Sequence, residues 1–366
     1  MTLEDLRRKL DALDQQLLGI IAERQALGIE IARAKREAGL PTRDFRRERE
    51  VLLRARENAQ QHGVPAVLGE SVMRLLILSS LATQEREQVV AQGLGSGRTA
   101  LVIGGAGKMG RWFGRFLAAQ GYSVSVADPS GPVEGFAYVA DWTVDSLAHD
   151  LIVVAAPIKI SAQILLQLAE RKPRGIVFDL GSLKTPLRTG LNALRAAGVR
   201  TTSIHPMFGP DTDLLSGRHV IFIDLGDRDA LVLAQELFAS TMAEQVVMSL
   251  DEHDRLIAYV LGLSHALNIC FFTVLANSGE HAQRLASLSS TTYDAQIAIA
   301  SKVSNESPDL YFEIQKLNEY GQESLQALRT AVEQICACVA EGDLSQFRGM
   351  MQAGHDYLAG RAARTG

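Results

Sequence analysis

The sequence predicts a multidomain protein in which an all-helical domain precedes an α/β domain of the dinucleotide-binding type. A glycine-rich turn, Gly105-Ala106-Gly107-Lys108-Met109-Gly110, directly follows a short apolar run well inside the chain. Such a turn normally comes right after the first strand of its domain, so another domain must precede it. Residues 1–90 instead carry apolar side chains at helical spacing, and 366 residues suffice for two or three domains with separate cores.

Net charge and its distribution narrow the kind of ligand. A net charge of −5 argues against a nucleic-acid groove as the main function. Cationic side chains are nevertheless crowded into the first fifty residues: Arg7, Arg8, Lys9, Arg24, Arg33, Lys35, Arg36, Arg43, Arg46, Arg47 and Arg49. They form either solvated helix faces or a pocket for a small polyanion, and the pocket is indicated where they fall on faces that should be buried.

Cysteine content and the N-terminal residues indicate a reducing cytoplasm. Cys270, Cys336 and Cys338 cannot all pair, and the last two lie in an apolar helical pattern that favours packing over metal binding. No cluster of His and Cys suggests a metal site, and the charged start MTLEDLRRKL is unlike a signal peptide.

Residues 256–276 contain no Asp, Glu, Lys or Arg and are long enough to span a bilayer. Ser264, His265 and Asn268 interrupt this segment, and no other stretch supports a membrane protein. We therefore predict a buried helix whose apolar faces pack against another subunit.

The first ninety residues begin with one long amphipathic helix, predicted over residues 3–38 and ended by Gly39 and Pro41. Its apolar positions advance in steps of three and four through Leu3, Leu6, Leu10, Leu13, Leu17 and Ile20, and after one step of seven they continue at Leu27, Ile31 and Ala34. Such a helix is about 54 Å long, which is too long for a lone domain of this size. It must lie against a partner, most simply a second copy of the chain.

Arg24 interrupts the apolar stripe of this helix, and a charge there is costly unless it is paired. It pairs either with an interior carboxylate or with an anionic ligand. Lys35 lies roughly 20° around the helix from Arg24, so both face the same side. Arg7 lies roughly 100° away and would point elsewhere, for example into the site of a neighbouring subunit.

Two further helices add polar groups to this face. One is predicted to begin near Thr42 as N-cap and the other near Pro65. They contribute carboxylates, a cation, a hydroxyl and a neutral amide: Asp44, Arg47, Glu48, Ser80 and Gln84. With no metal and no obvious nucleophile, such a pocket is suited to electrostatic stabilisation of a rearranging dianion.

These helices carry a resemblance to a known family. The segments LRRKLDALDQQLLGIIAERQALGIEIARAK, RDFRRERE and SSLATQ closely resemble the all-helical chorismate mutase domain of bacterial P- and T-proteins, over about residues 1–88. The resemblance implies that Arg24, and Arg7 from a partner chain, bind the two carboxylates of chorismate. It also implies that Lys35 and Gln84 hydrogen-bond the ether oxygen, where negative charge grows as the C–O bond breaks. The remaining residues hold the ring hydroxyl or complete the pocket: Glu48, the backbone near Asp44, Arg47 and Ser80.

After the helical domain, the segment 86–98 has three glycines near its end, at positions 93, 95 and 97. This composition predicts a flexible joint. Strands and helices then alternate, with buried parallel strands predicted at 100–103, 123–127, 151–155, 176–180 and 219–223. The predicted domains are therefore residues 1–90 (helical), 91–98 (linker), 99–228 (Rossmann) and 229–366 (helical).

The glycine turn predicts a site for NAD. Gly105, Gly107 and Gly110 follow a strand and open a helix, so the backbone can approach a pyrophosphate at the helix N-terminus. Asp128 ends the next strand at a suitable spacing to bind the ribose hydroxyls, which disfavours the 2′-phosphate of NADP. The other residues expected at the cofactor are Lys108, Met109 and Pro157.

Two polar motifs follow strands further along the chain, at the edge where open α/β sheets bind ligands. They are DLGSLK at 179–184 and SIHPMFGPD at 203–211. His205 lies between a strand end and a proline and is a candidate base.

The segments VVAAPI, FDLGSLK, SIHPMFGP, DEHDRLIAYVLGLSHAL and LSSTTY resemble prephenate dehydrogenase, the second half of bacterial T-proteins. The resemblance implies a Rossmann domain followed by an all-α dimerisation domain, hence a cytoplasmic homodimer that makes the precursor of tyrosine. It implies that His205, assisted by Ser182, draws the proton from the ring 4-hydroxyl as hydride passes to NAD. His253 and His265 would line the side-chain end of the pocket.

The resemblance fails at one position. The family carries an arginine for the ring carboxylate after S-S-x-x-Y, whereas Tyr293 is followed here by Asp294. Ser264 and Asp213 are also less positive than the usual pattern. Three interpretations are open. In the first, another cation, such as Arg284 or Lys302, binds the ring carboxylate; in the second, the substrate is 4-amino-4-deoxyprephenate, whose own cation suits an acidic pocket. In the third, this half of the chain binds NAD or tyrosine without catalysis and regulates the mutase.

Overall fold

The computed structural model describes residues 1–362, which fall into two compact units. The first unit comprises residues 1–182 and 187–250, and the second comprises residues 183–186 and those from 251 onward. The first unit therefore contains both the N-terminal helices and the α/β domain.

Three helices form the N-terminal domain: α1 (Leu3–Glu37), α2 (Phe45–Gln61) and α3 (Ala66–Ala91). The long first helix is confirmed, and a reciprocal capping box between Thr2 and Asp5 fixes its start. The whole apolar stripe of α1 remains exposed, from Leu3 at 65% to Ile31 at 52%. As expected for a helix of this length, the rest of the chain does not cover it.

The start of α2 differs from the prediction. The N-cap is Asp44 rather than Thr42, and the Asp44 carboxylate accepts a hydrogen bond from the Arg47 backbone N–H at 3.0 Å. Thr42 instead uses its backbone carbonyl to accept a hydrogen bond from Lys35. Both residues can cap a helix, and the tertiary contact decides between them.

The α/β domain contains a five-stranded parallel sheet in the order β3-β2-β1-β4-β5. Its strands are β1 (Thr99–Ile103), β2 (Ser123–Ala127), β3 (Ala137–Tyr138), β4 (Leu151–Val154) and β5 (Ile176–Asp179), and its helices are α4 (Lys108–Ala119), α5 (Ile158–Arg171) and α6 (Arg188–Ala196). Strands β1, β4 and β5 are buried on both faces, as their runs of Val, Ile and Leu predict, whereas the short edge strand β3 is exposed. This order places the turn after β1 at the middle of the sheet, where a dinucleotide binds.

A second sheet of three strands follows, with β6 (Ser203–Pro206), β7 (His219–Ile223) and β8 (Glu244–Met248), and with α7 (Arg228–Glu236) between the last two. The prediction of a parallel strand at 219–223 is only partly right, because β7 is parallel to β8 but antiparallel to β6. A parallel bridge between Val177 and Thr201 links β5 to the chain entering β6.

The glycine-rich segment before β1 is packed rather than free. Gly95 donates its backbone N–H to the Gln120 carbonyl at 2.9 Å, and a Cβ at Gly93 or Gly95 would collide with Gln120 or Tyr122. The prediction of a flexible joint is therefore wrong for its first two glycines, which permit close backbone approach.

The second unit is all-helical. It consists of α8 (Leu250–Ile257), a π-helical segment (Ala258–Leu263), α9 (Ser264–Asn277), α10 (Ala282–Ser287), α11 (Thr291–Ser304), α12 (Pro308–Leu317), α13 (Gly321–Glu341) and α14 (Leu344–Ala362). Residues 256–276 do not form one regular helix, because they include the π-helical segment. Apolar side chains such as Val260 and Val274 are exposed on the single chain, so their predicted packing against another subunit stays a prediction. By length and composition alone, Leu250–Asn277 and Ala66–Ala91 could each cross a membrane.

Candidate active sites

The cation on the apolar stripe of α1 faces α3. Arg24 is half-buried, and its Nη1 donates to Ser80 Oγ at 2.8 Å and to the Leu76 carbonyl oxygen at 3.1 Å. Ser80 Oγ also donates to Gln25 Oε1, 2.9 Å away. Within residues 1–362 no carboxylate pairs with Arg24. Its positive charge is therefore not neutralised inside the domain, which favours the anionic-ligand interpretation over an interior ion pair.

Lys35 lies in the last turn of α1 and contacts the chain that leads into α2. Its Nζ donates to the Thr42 carbonyl oxygen at 2.7 Å. The hydrogen bond from the Arg47 backbone lowers the pKa of the Asp44 carboxyl, and the positive charges of Arg46 and Lys35 act in the same direction. The structure thus brings Lys35 close to Asp44, as the predicted pocket requires.

Glu48 has a partner that the sequence reasoning missed. The Arg43 guanidinium donates to both Glu48 carboxylate oxygens, at 2.8 and 2.9 Å, and packs over the Phe45 ring at 4.3 Å. Arg47, by contrast, points outward and pairs with Glu50 at 3.2 Å. A bidentate pair fixes a carboxylate far better than a single contact does, so Glu48 is held in one orientation.

Gln84 is buried on α3, one turn beyond Ser80, and its Oε1 has no hydrogen-bond partner within the described chain. A buried amide oxygen without a partner is uncommon and indicates a side chain that is available to a ligand. Arg7 is exposed near the start of α1, away from the pocket residues. The structure therefore gathers Arg24, Ser80 and Gln84 at α1 and α3, and leaves Arg7 outside.

The turn after β1 has the close backbone packing that a pyrophosphate site needs. Gly104, which precedes the predicted motif, has φ +85° and lies against the Ala155 backbone, where a Cβ would be 2.7 Å away. A Cβ on Gly110 would collide with the Gly104 carbonyl oxygen. The N-cap of α4 is Gly107, which has no side-chain cap, so the first backbone N–H groups of that helix are open to an anion.

Asp128 lies beside this turn at the end of β2. Its Oδ2 accepts a hydrogen bond from the Ala106 backbone N–H at 3.0 Å, and Oδ1 accepts one from Ser130 N–H at 2.9 Å. Pro157 is the N-cap of α5, directly after the β4 end that packs on Gly104. Lys108 and Met109 occupy the first turn of α4. The residues predicted at the cofactor are thus grouped around one turn, and their arrangement fits NAD.

Ser182 and His205 lie in the same unit. Ser182 follows β5, and His205 is 5% exposed within β6, paired opposite Ile221 rather than after the strand as expected. Because the Val177–Thr201 bridge makes β5 and β6 neighbours, the strand ends carrying Ser182 and His205 share one edge.

The other two predicted histidines lie in the second unit. His253 is fully buried, with its Nδ1 2.6 Å from Asp254 Oδ1. Burial favours neutral Asp254, but hydrogen bonds from His253 and Thr185 outweigh it and hold the pKa of this carboxyl below its usual value. The centroid of the His265 ring lies 4.2 Å from that of Tyr311, with the two rings tilted by 35°, and burial lowers the pKa of His265. Sequence reasoning missed Asp254, which also accepts backbone hydrogen bonds from Lys184 and Thr185.

Asp294 is exposed in the first turn of α11, where a carboxylate interacts favourably with the helix dipole, and it accepts a hydrogen bond from Ser289 Oγ. Of the two candidate replacement cations, Arg284 pairs with Glu280 at 3.6 Å and Lys302 lies in the last turn of α11. The charge reversal at Asp294 therefore lies at an accessible helix N-terminus and not in the interior of the second unit.

Three family models match successive parts of the chain. Chorismate mutase type II matches residues 6–85, the nucleotide-binding domain of prephenate dehydrogenase matches residues 135–247, and its dimerization domain matches residues 249–353. These matches follow the order of the helical, α/β and second helical parts of the structure.

Similar proteins agree with this order. A T-protein of Enterobacter agglomerans is 28% identical over 93% of this chain and 89% of its own length. A chorismate mutase of Methanocaldococcus jannaschii is 32% identical over 23% of this chain and 85% of its own length. A 4-amino-4-deoxyprephenate dehydrogenase of Streptomyces pristinaespiralis is 27% identical over 68% of this chain and 86% of its own length.

The fold also has a counterpart among solved structures. Prephenate dehydrogenase from Aquifex aeolicus, in complex with hydroxyphenyl propionate and NAD+, covers 72% of this chain and 98% of its own, with a TM-score of 0.55 and 16% identity. Since the mutase match, both dehydrogenase matches and the T-protein relative lie along one chain, it belongs to the T-protein family of tyrosine biosynthesis, bifunctional enzymes that join a chorismate mutase to an NAD-dependent prephenate dehydrogenase.

Proposed function

We propose that the site residues described above carry out two consecutive reactions: chorismate to prephenate, then prephenate to 4-hydroxyphenylpyruvate with NAD. The observation that carries this assignment is the position of Arg24. No carboxylate within residues 1–362 neutralises its charge, and it faces α3, the helix that carries the buried Gln84 side chain. The domains that accompany it are residues 1–90, 91–98, 99–250 and 251–366. The boundary predicted at residue 228 is moved, because β8 pairs with β7 and the first compact unit ends at residue 250.

In the mutase, Arg24 binds one carboxylate of chorismate and Arg7 of the partner subunit binds the other. Lys35 and Gln84 donate hydrogen bonds to the ether oxygen as the C–O bond breaks and the new C–C bond forms. Glu48, held by Arg43, accepts a hydrogen bond from the ring hydroxyl. The rearrangement is intramolecular, so fixing a compact conformer and stabilising this oxygen are sufficient.

In the dehydrogenase, the open N–H groups of α4 bind the pyrophosphate of NAD and Asp128 binds its adenosine ribose. NAD supplies the acceptor for the hydride that leaves C4 of the ring. His205, with Ser182 beside it at the same sheet edge, accepts the hydrogen bond of the 4-hydroxyl and draws on its proton. The ring carboxylate departs as CO2, and aromatisation drives the reaction. The resemblance to prephenate dehydrogenase assigns His253 and His265 to the side-chain end of the substrate.

A homodimer of the cytoplasm is part of the proposal, since the exposed stripe of α1 must be covered. The substitution Leu17→Glu places a negative charge in the middle of this stripe, where the side chain of Leu17 is 52% exposed. We expect the variant to dissociate to monomers and to lose mutase activity because Arg7 no longer reaches the partner site. Light scattering coupled to size-exclusion chromatography measures the mass.

Gln15→Glu is the matched control, because residues two apart lie about 160° apart around a helix. It adds the same charge on the opposite face of α1 and should leave the dimer intact. A Leu17→Glu variant that stays dimeric would contradict coverage of this face by a second copy.

The ring 4-substituent admits a second candidate, 4-amino-4-deoxyprephenate. It is favoured by Asp294 in place of the expected arginine and by the Streptomyces relative that is named for this substrate. The amine would bring its own cation, and an amine has no hydroxyl proton for His205 to remove. We propose prephenate as the main substrate, because the T-protein relative spans nearly the whole chain.

Steady-state kinetics on prephenate and its 4-amino analogue separates the candidates. We expect wild type to prefer prephenate, and Asp294→Arg to raise kcat/KM for prephenate by roughly three- to tenfold through attraction of the ring carboxylate. Asp309→Arg is the control, since Asp309 also lies exposed in the first turn of a helix. Turnover of the 4-amino analogue alone would establish the second candidate.

A further inference from the structure

Two consecutive residues of the α/β domain, Leu215 and Ser216, reach back to the helical domain. They lie in the stretch that joins β6 to β7. The Leu215 backbone N–H donates to Glu85 Oε2 at 2.7 Å, and Ser216 Oγ accepts a hydrogen bond from Arg43 Nη1 at 2.6 Å. One short segment therefore holds both α3 and the chain entering α2.

Glu85 is unusually buried for a carboxylate, with 4% of its surface exposed. Its Oε2 is used by Leu215, and its Oε1 accepts the Met242 backbone N–H at 2.5 Å. No cationic side chain within residues 1–362 pairs with it; burial raises its pKa, and the two backbone N–H groups oppose that rise. Both groups that satisfy this carboxylate thus belong to the α/β domain.

Each of these two contacts is made by a residue that is directly linked to a mutase group. Glu85 is its neighbour in the chain, and Arg43 is its ion-pair partner. Glu85 directly follows Gln84 on α3, so anchoring Glu85 fixes the backbone that carries the Gln84 amide. Arg43 grips both oxygens of Glu48, so anchoring its third nitrogen fixes that carboxylate.

The anchoring segment is itself well fixed. Leu215 is 3% exposed in the core of the α/β domain. Trp112 on α4 donates its indole N–H to the Thr212 carbonyl at 3.0 Å, which ties the segment to the helix of the glycine turn. A rigid support can therefore transmit its position to the groups that it touches.

We propose that Leu215 and Ser216 are positioning residues of the mutase site, Leu215 through Glu85 for Gln84 and Ser216 through Arg43 for Glu48. This rests on the proposed function, because it takes Gln84 and Glu48 as mutase groups. The α/β domain then supplies part of the precision of the rearrangement without touching the substrate.

The two anchors should affect different kinetic constants. Glu48 binds the ring hydroxyl in ground and transition states alike, so Ser216→Ala should raise the KM for chorismate roughly five- to tenfold with kcat little changed. Gln84 acts on charge that develops only in the transition state. Glu85→Gln replaces one of the two accepting oxygens by an NH2 group, which cannot accept the backbone N–H that faces it. This variant should lower kcat roughly tenfold with KM little changed.

Ser216→Thr keeps the hydroxyl and should restore the wild-type KM, while prephenate oxidation stays unchanged in all three variants. If Glu85→Gln does not fold, the two Ser216 variants decide the matter. Unchanged mutase constants in folded Ser216→Ala would overturn the proposal, as would a parallel fall of both activities together with the melting temperature. A wild type that fails to rearrange chorismate would overturn the proposed function as well, which distinguishes the two failures.

Discussion

Replacing Lys35 with alanine is expected to lower kcat for chorismate rearrangement by roughly a hundred- to a thousandfold, the cost of removing one donor from a developing oxyanion. Lys35 presents its ammonium group at the junction of α1 and α2, 2.7 Å from the Thr42 carbonyl, ready to turn to the ether oxygen of a bound substrate. NADH formation from prephenate should be unaffected. Disappearance of chorismate and appearance of NADH are followed separately on the same preparation.

Lys9→Ala is the matched control for Lys35, because it removes the same charge from an exposed position of the same helix. Its mutase kcat should equal that of wild type. Equal losses in the two variants would mean that the net charge of α1, and not a positioned ammonium group, determines the rate.

Replacing His205 with asparagine is expected to lower kcat for prephenate oxidation by roughly a hundred- to ten-thousandfold, the range spanned by positioned proton-transfer groups. Asparagine keeps a hydrogen-bonding side chain in β6 but cannot accept the hydroxyl proton at neutral pH. Chorismate rearrangement should proceed at the wild-type rate. A normal NAD dissociation constant would show that the neighbouring turn remains intact.

His219→Asn provides the control on the adjacent strand, where the histidine is 51% exposed and lies 3.0 Å from Glu244. It should leave both activities unchanged. If either Lys35→Ala or His205→Asn removed both activities in a folded protein, the assignment of two separate sites would be wrong.

Regular patterns made most of the fold predictable from the sequence. The steps of three and four along α1 have the period of a helix, and the Val- and Ile-rich runs predict the buried strands of the parallel sheet. The glycine turn and Asp128 were predictable for the same reason, since a strand, a turn and a helix follow one another without interruption. The sheet order then brings Asp128 to Ala106.

The residues that sequence reasoning missed depend on long-range contacts. Glu85 lies beside a predicted site residue, but its partners are backbone groups 130 and 157 positions away, which no local pattern reports. Arg43 was one of many cations in the first fifty residues, and only its bidentate geometry with Glu48 singles it out. Asp254 adjoins His253, yet its role in binding the 184–185 backbone appears only in three dimensions.

The packed glycines before β1 bear on how this gene fusion can be engineered. Gly93 and Gly95 fit so tightly against Gln120 and Tyr122 that neither tolerates a side chain. A reporter inserted at this segment would therefore disrupt a packed contact and not merely lengthen a linker. The same holds for splitting the polypeptide there or for grafting a foreign mutase onto residue 99. Chimaeras should therefore be cut elsewhere, with the matching surfaces exchanged together.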